Sequence, residues 1–159
     1  MLVNFFRKYC PGFQDAFLTN TASGVYARES RRIKGIKTIT KANIDKLSVP
    51  EDSVALAGYN VDIHQNGVGL RLLPSAHAIG IPYGCLVSEN IDGLLASGRC
   101  ISVEPYPFGL TRAMATCMAV GEAAGIAASI AVKDNCSLKQ VNVKKIRQTL
   151  QKAGAIVSR

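Results

Sequence analysis

Three short stretches of this chain hold side chains whose types and spacing can do chemistry. Arg28, Arg31 and Arg32 fall within five residues of one another, with Glu29 and Ser30 between them. In an extended segment alternate side chains share a face, so Arg28, Ser30 and Arg32 would point one way and Glu29, Arg31 and Ile33 the other. Such a face can hold a carboxylate, or it can form ion pairs between two strands. Asp62 and His64 share a face across Ile63, which lets a carboxylate orient an imidazole for general acid or base work near neutral pH; a purely structural histidine fits the same pattern. In the third stretch, Leu94, Leu95 and Ala96 read as a short strand running into Gly98 and Arg99, then a Pro-rich loop, then a long helix of small residues. A glycine at a strand end lets a ligand approach the backbone, and Arg99 can meet a phosphate bidentately or pair with Glu104. The helix that follows offers its first N–H groups and positive end to an anion or an electron-rich carbonyl, unless Thr111 and water cap it.

The elements that must position these residues follow from turns and periodicity. Gly24 to Gly35 alternates as a strand, with Ile36 to Ile39 returning as its partner, and Thr40 is placed to cap a short helix through Lys46. Val54 to Tyr59 reads as a strand, and Asn66-Gly67 predicts a hairpin joining residues near Ile63 and Leu70. Ile81-Pro82-Tyr83 begins an extended segment, because Pro82 keeps the residue before it out of the α region. Ala113 to Val132 predicts a long helix buried against the strand Leu94 to Ser97, with Gly121 and Gly125 permitting close approach. Val143, Ile146 and Leu150 at i, i+3 and i+7 predict a last amphipathic helix that Gly154 stops.

The 159 residues suffice for one core, and a hydrophobic content of 48% with 19% charged residues argues against disorder. The formal charge of +8 raises nucleic acid or an anionic membrane as partners. Its basic residues cluster in Arg28 to Lys46 and Lys133 to Arg159 without aromatic interleaving, so no nucleic-acid partner is expected. Ala113 to Val132 has the length of a membrane span, but its alanine and glycine content and its Glu122 favour a helix packed on protein, and no membrane partner is expected. Five cysteines in scattered positions fit small buried hydrophobes better than a disulfide framework or a metal site. No signal peptide is visible, and a cytoplasmic setting is favoured.

The words LLASGRCIS and TRAMATCMAVGEAAGIAA resemble the C-terminal, flavin-proximal segment of the FAD-dependent oxidoreductases related to the fumarate reductase and glucose-inhibited division protein group. Ala27 to Thr40 (ARESRRIKGIKTIT), Ala57 to His64 (AGYNVDIH) and Ile81 to Leu86 (IPYGCL) resemble further segments of that family, in the expected order, so roughly Ser23 to Val157 is covered. Gly84 departs from the pattern, because the family usually has arginine after IPY.

The resemblance implies an α+β fold: the C-terminal fragment of an α/β, Rossmann-like FAD-binding domain, 87–159, with part of a β-rich substrate or cap region, 1–86. It implies FAD, in a longer parent chain, as the cofactor. Gly98 and Arg99 would lie near the ribityl and pyrophosphate, and Arg112, Met114, Ala115 and Thr116 near the pyrimidine edge of the ring. His64, Arg28 and Arg31 would serve catalysis on a small organic substrate. No strand followed by G-x-G-x-x-G occurs in the chain, so the cradle for the ADP half is missing. The expected partner is therefore the remainder of a flavoprotein chain, with a homo-oligomer left open, and the isolated chain is expected to be inactive. The alternative is a non-catalytic cap or oligomerisation module that binds no flavin by itself.

Overall fold

The computed structural model describes residues 1–25, 28–63, 70–73 and 77–158. The chain divides into two compact units, Met1–Ser30 and Arg31–Arg159.

The first unit is a helix, α1 (Leu2–Tyr9), followed by an irregular return. Leu2, Phe5, Phe6 and Tyr9 recur at helical spacing, and Phe6 stacks at 5.4 Å on Phe13 across a turn in which Gly12 has φ +87°. Arg7 Nε donates to the Ala16 carbonyl at 2.7 Å. No residue of α1 is buried. The strand expected over Gly24 to Gly35 does not form in the described part: Arg28 to Lys34 carries no strand pairing, and its first regular contact is the bridge of Gly35 to Ser88.

In the second unit, α2 (Lys41–Asp45) starts at Thr40 as expected, with Asn43 Oδ1 accepting the Thr40 N–H at 2.8 Å. Strand β1 (Ser53–Ala57) pairs antiparallel with β4 (Ile79–Pro82), and β2 (Val61–Asp62) pairs antiparallel with β3 (Leu70–Arg71). The latter is the pairing expected near Ile63 and Leu70, while the Asn66-Gly67 dipeptide lies outside the described residues. Pro82 ends β4, consistent with its missing donor.

The segment 33–39 does not return on a preceding strand. It threads between two others: Ile36 N–H donates to Val87 O at 3.0 Å and Lys37 N–H to Gly84 O at 3.1 Å on one side, and Ile33 N–H to Cys100 O at 2.9 Å and Ile39 N–H to Ser102 O at 3.2 Å on the other. The crossing is tight. A Cβ on Gly35 would lie 2.8 Å from both Gly84 O and Ser102 Cβ, so only glycine fits. Gly84 faces the same segment, where a Cβ would lie 2.9 Å from Lys37 Cγ and 3.2 Å from Lys37 Cβ. The Lys37 stem therefore stands where an arginine at position 84 would begin, and its Nζ pairs with Asp52 at 2.7 Å.

Two further expectations are corrected. The strand Leu94 to Ala96 shrinks to a single bridge, Val87 to Leu95, because turns flank it on both sides. The Pro-rich loop after Arg99 is a helix, α3 (Pro105–Thr111), since proline at the first helical positions has no missing hydrogen bond to lose. Helix α4 (Met114–Lys133) runs as expected but packs differently. Its buried stripe is Thr116, Val120, Ala123, Ala127 and Ala131, laid on β1 and on α5 (Val143–Lys152). Gly121 and Gly125 have no atom within 4 Å of a Cβ, so they serve no close approach. Asn142 caps α5 by accepting the Lys144 N–H at 3.0 Å, Ile146 and Leu150 are its buried residues, and Arg147 binds the carbonyls of Ser53 and Val157. Ile39, Val54, Ile81, Leu86, Ile101 and Leu110 fill the core.

Candidate functional site

The site is the corner where a 3₁₀ turn, Gly98–Cys100, meets the junction of α3 and α4. Helix α3 ends at Thr111, Arg112 closes it with φ −76° and ψ −8°, and Ala113 turns extended before α4 begins. Ala113 offers no oxygen side chain and makes no side-chain cap to α4. Thr111 is buried at the end of α3. A 20-residue helix therefore presents the backbone N–H groups of Met114, Ala115 and Thr116 at its positive end, with no N-cap side chain among the described residues to accept from them. The Met114 and Ala115 side chains are exposed, while that of Thr116 is buried.

Gly98 sits beside this end with φ +68°, a left-handed backbone that side-chain-bearing residues rarely adopt. A Cβ there would reach Cys117 only at 4.0 Å, so the conformation, and not crowding by protein, is what calls for glycine. Cys117 lies in the first turn of α4, and its Sγ approaches the Thr111 and Arg112 carbonyls at 3.7 and 3.6 Å. Burial pushes its thiol up, with the nearby Arg99 guanidinium opposing, which puts Arg99 at the same corner. Cys100, expected as a buried hydrophobe, is exposed. Glu104 Oε2 accepts the Lys41 backbone N–H at 2.8 Å and so serves the start of α2.

Arg112 is anchored from the other side. Its Nη2 donates to Asp62 Oδ2 at 2.6 Å and to the Asp62 carbonyl at 3.2 Å, and the two side chains are 15% and 24% exposed. The carboxylate read as an orienter of His64 thus holds a guanidinium fifty positions away. His64 itself lies outside the described residues. Arg28 belongs to the first unit, and Arg31 is exposed in the second. The arginine that reaches α3 is Arg32, whose guanidinium lies 5.2 Å over the Phe108 ring.

Reasoning from sequence missed Gly109. In α3 its Cβ would stand 2.7 Å from Asp62 O and 3.0 Å from Ile63 Cγ1, so glycine lets β2 lie directly on the helix. A glycine inside the run PYPFGLT was the available signal, since glycine in a helix weakens it unless something must come close.

The donor set of this corner suits an electron-rich, partly anionic ring edge: backbone N–H groups at a positive helix end, Arg112 immediately before that end, and a glycine turn with open space beside it. A sequence model of the FAD dependent oxidoreductase family matches residues 1–150. The chain therefore belongs to the family of FAD dependent oxidoreductases. No curated relative and no solved structure matches it.

Proposed function

We propose that this chain supplies the flavin-ring side of an FAD site, and part of the substrate site, in a redox enzyme that acts on a small organic substrate. The observation that carries the reading is the uncapped start of α4 beside Gly98 and Arg99, in a chain of this family. Within the family, the reading puts it beside the fumarate reductase and glucose-inhibited division protein group, on the resemblance of the segments Ala27 to Thr40, Ala57 to His64 and Ile81 to Leu86.

FAD would supply the redox chemistry, and the protein binding, orientation and electrostatics. The amides of Met114, Ala115 and Thr116 would donate to the pyrimidine edge, with Arg112 adding positive charge, so negative charge gained there on reduction is stabilised. Gly98 and Arg99 would face the ribityl and pyrophosphate. His64 would exchange protons with the substrate, and Arg28 and Arg31 would orient an anionic one. The fold in this reading is the C-terminal piece of a Rossmann-like domain with part of a cap, completed by the remainder of a flavoprotein chain. Neither nucleic acid nor membrane enters it.

Titration of FAD into the ¹⁵N-labelled chain tests the reading. Weak binding is expected, because the dinucleotide cradle is missing, with amide shifts centred on Gly98 and Met114 to Thr116. Shifts scattered elsewhere, or none at millimolar FAD, would overturn it in favour of a module that binds no flavin.

A further inference from the structure

We propose that Asp62 is a positioning residue of this site, which anchors the Arg112 guanidinium at the α3–α4 corner and offsets its charge, and so sets the positive charge presented at the start of α4. This rests on the reading that the start of α4 faces the flavin. Three observations carry it. Arg112 immediately precedes Ala113, the residue from which α4 departs, so its side chain and the helix mouth share one anchor point. Its Nη2 is held twice by the same residue, through Asp62 Oδ2 at 2.6 Å and the Asp62 carbonyl at 3.2 Å, which fixes direction as well as distance. The carbonyl is in reach only because Gly109 lets β2 come onto α3, where a Cβ would lie 2.7 Å from that same oxygen.

A carboxylate this close, with both partners mostly removed from water, cancels much of the cation's field over the neighbouring amides. Strand β2 thereby controls how strongly the corner favours an added electron pair. Removing the negative charge while keeping the side chain's shape leaves Arg112 uncompensated, and reduced FAD should gain relative to oxidised FAD.

The test has two readouts on the chain itself. In ¹⁵N spectra of the Arg112 guanidinium, the wild type should show hindered rotation. Asp62→Asn should loosen it, Gly109→Ala should loosen it from the opposite side of the contact, and Asp62→Glu should restore it in part. Anaerobic titrations with oxidised and reduced FAD then give the ratio of dissociation constants. Asp62→Asn should raise the preference for the reduced form several-fold, a tenfold change corresponding to about 30 mV for a two-electron couple. A freely rotating Arg112 in the wild type, or an unchanged ratio in folded Asp62→Asn, would overturn the proposal and leave the flavin site standing. Failure of FAD to shift Met114 to Thr116 in either protein would remove both.

Discussion

Alanine at Gly109 and alanine at Gly121 should move stability in opposite directions, although both replace a glycine inside a helix. Intrinsic propensity favours each change by about 0.8–1.0 kcal/mol. At Gly121 nothing lies within 4 Å of the added Cβ, so that gain should appear nearly whole. At Gly109 the Cβ meets Asp62 O at 2.7 Å, Ile63 Cγ1 at 3.0 Å and Asp62 C at 3.1 Å. Two of these atoms are backbone, so β2 must shift outward by several tenths of an ångström. Overpacking of this kind costs about 1–3 kcal/mol. Stretching the Arg112 hydrogen bonds removes a charge-assisted interaction of about 1.5–3 kcal/mol in part. The net expectation is a loss of about 1–3 kcal/mol for Gly109→Ala against a gain of about 0.5–1 kcal/mol for Gly121→Ala. Urea unfolding followed by far-ultraviolet circular dichroism resolves that difference. Gly109→Ala as stable as the wild type would refute the close α3–β2 contact. Gly121→Ala less stable than the wild type would show that the outer face of α4 is covered.

Burial, joined by the Asp52 charge, raises the Cys85 thiol from 9.0 to about 12, and burial raises the Tyr83 phenol from 10.0 to about 12. The unfolded chain then binds fewer protons than the folded one above about pH 9, so stability should fall from there towards pH 12, by up to about 1.4 kcal/mol per pH unit for each group. Urea midpoints at pH 8.5 and 10.5 should show the fall, and a Cys85→Ala variant with an undiminished slope would contradict it. Exposed Cys100 should react with a thiol reagent in the folded protein well before buried Cys85, as mass mapping after brief alkylation would show; equal rates would mean that the core opens. Asn142→Ala removes the acceptor of the Lys144 N–H and should destabilise α5 by about 0.5–2 kcal/mol, read as a lower urea midpoint; no change would mean that water replaces the cap.

Local signals alone determined much of this protein. The i, i+3, i+7 apolar stripe from Val143 and Gly154 after it delimit α5, Thr40 starts α2, and the apolar run at Val54 and the Asn66-Gly67 dipeptide foretell β1 and the β2–β3 pairing. The helices satisfy their own hydrogen bonds and the β2 and β3 partners are close in sequence, so a window of a few residues contains their cause, while β1 shows its apolar run locally and finds its partner β4 only on folding. The family, too, was legible, because its motifs are strings of neighbouring residues. What the tertiary structure decided are contacts between distant segments. Gly24 to Gly35 alternates like a strand, yet the hydrogen bonds of residues 33–39 are taken by Gly84, Val87, Cys100 and Ser102, of which Gly84 and Ser102 crowd Gly35 from two sides. In α4 twelve of the 20 positions are Ala, Gly, Ser, Thr or Cys and the larger apolar residues lie on several faces, so periodicity could not say which stripe turns inward; β1 and α5 choose Val120, Ala123 and Ala127 and leave Gly121 facing open space. Asp62 stands two positions before a histidine in the sequence, and folding also brings it an arginine from fifty positions away, because a glycine in α3 lets the two backbones touch.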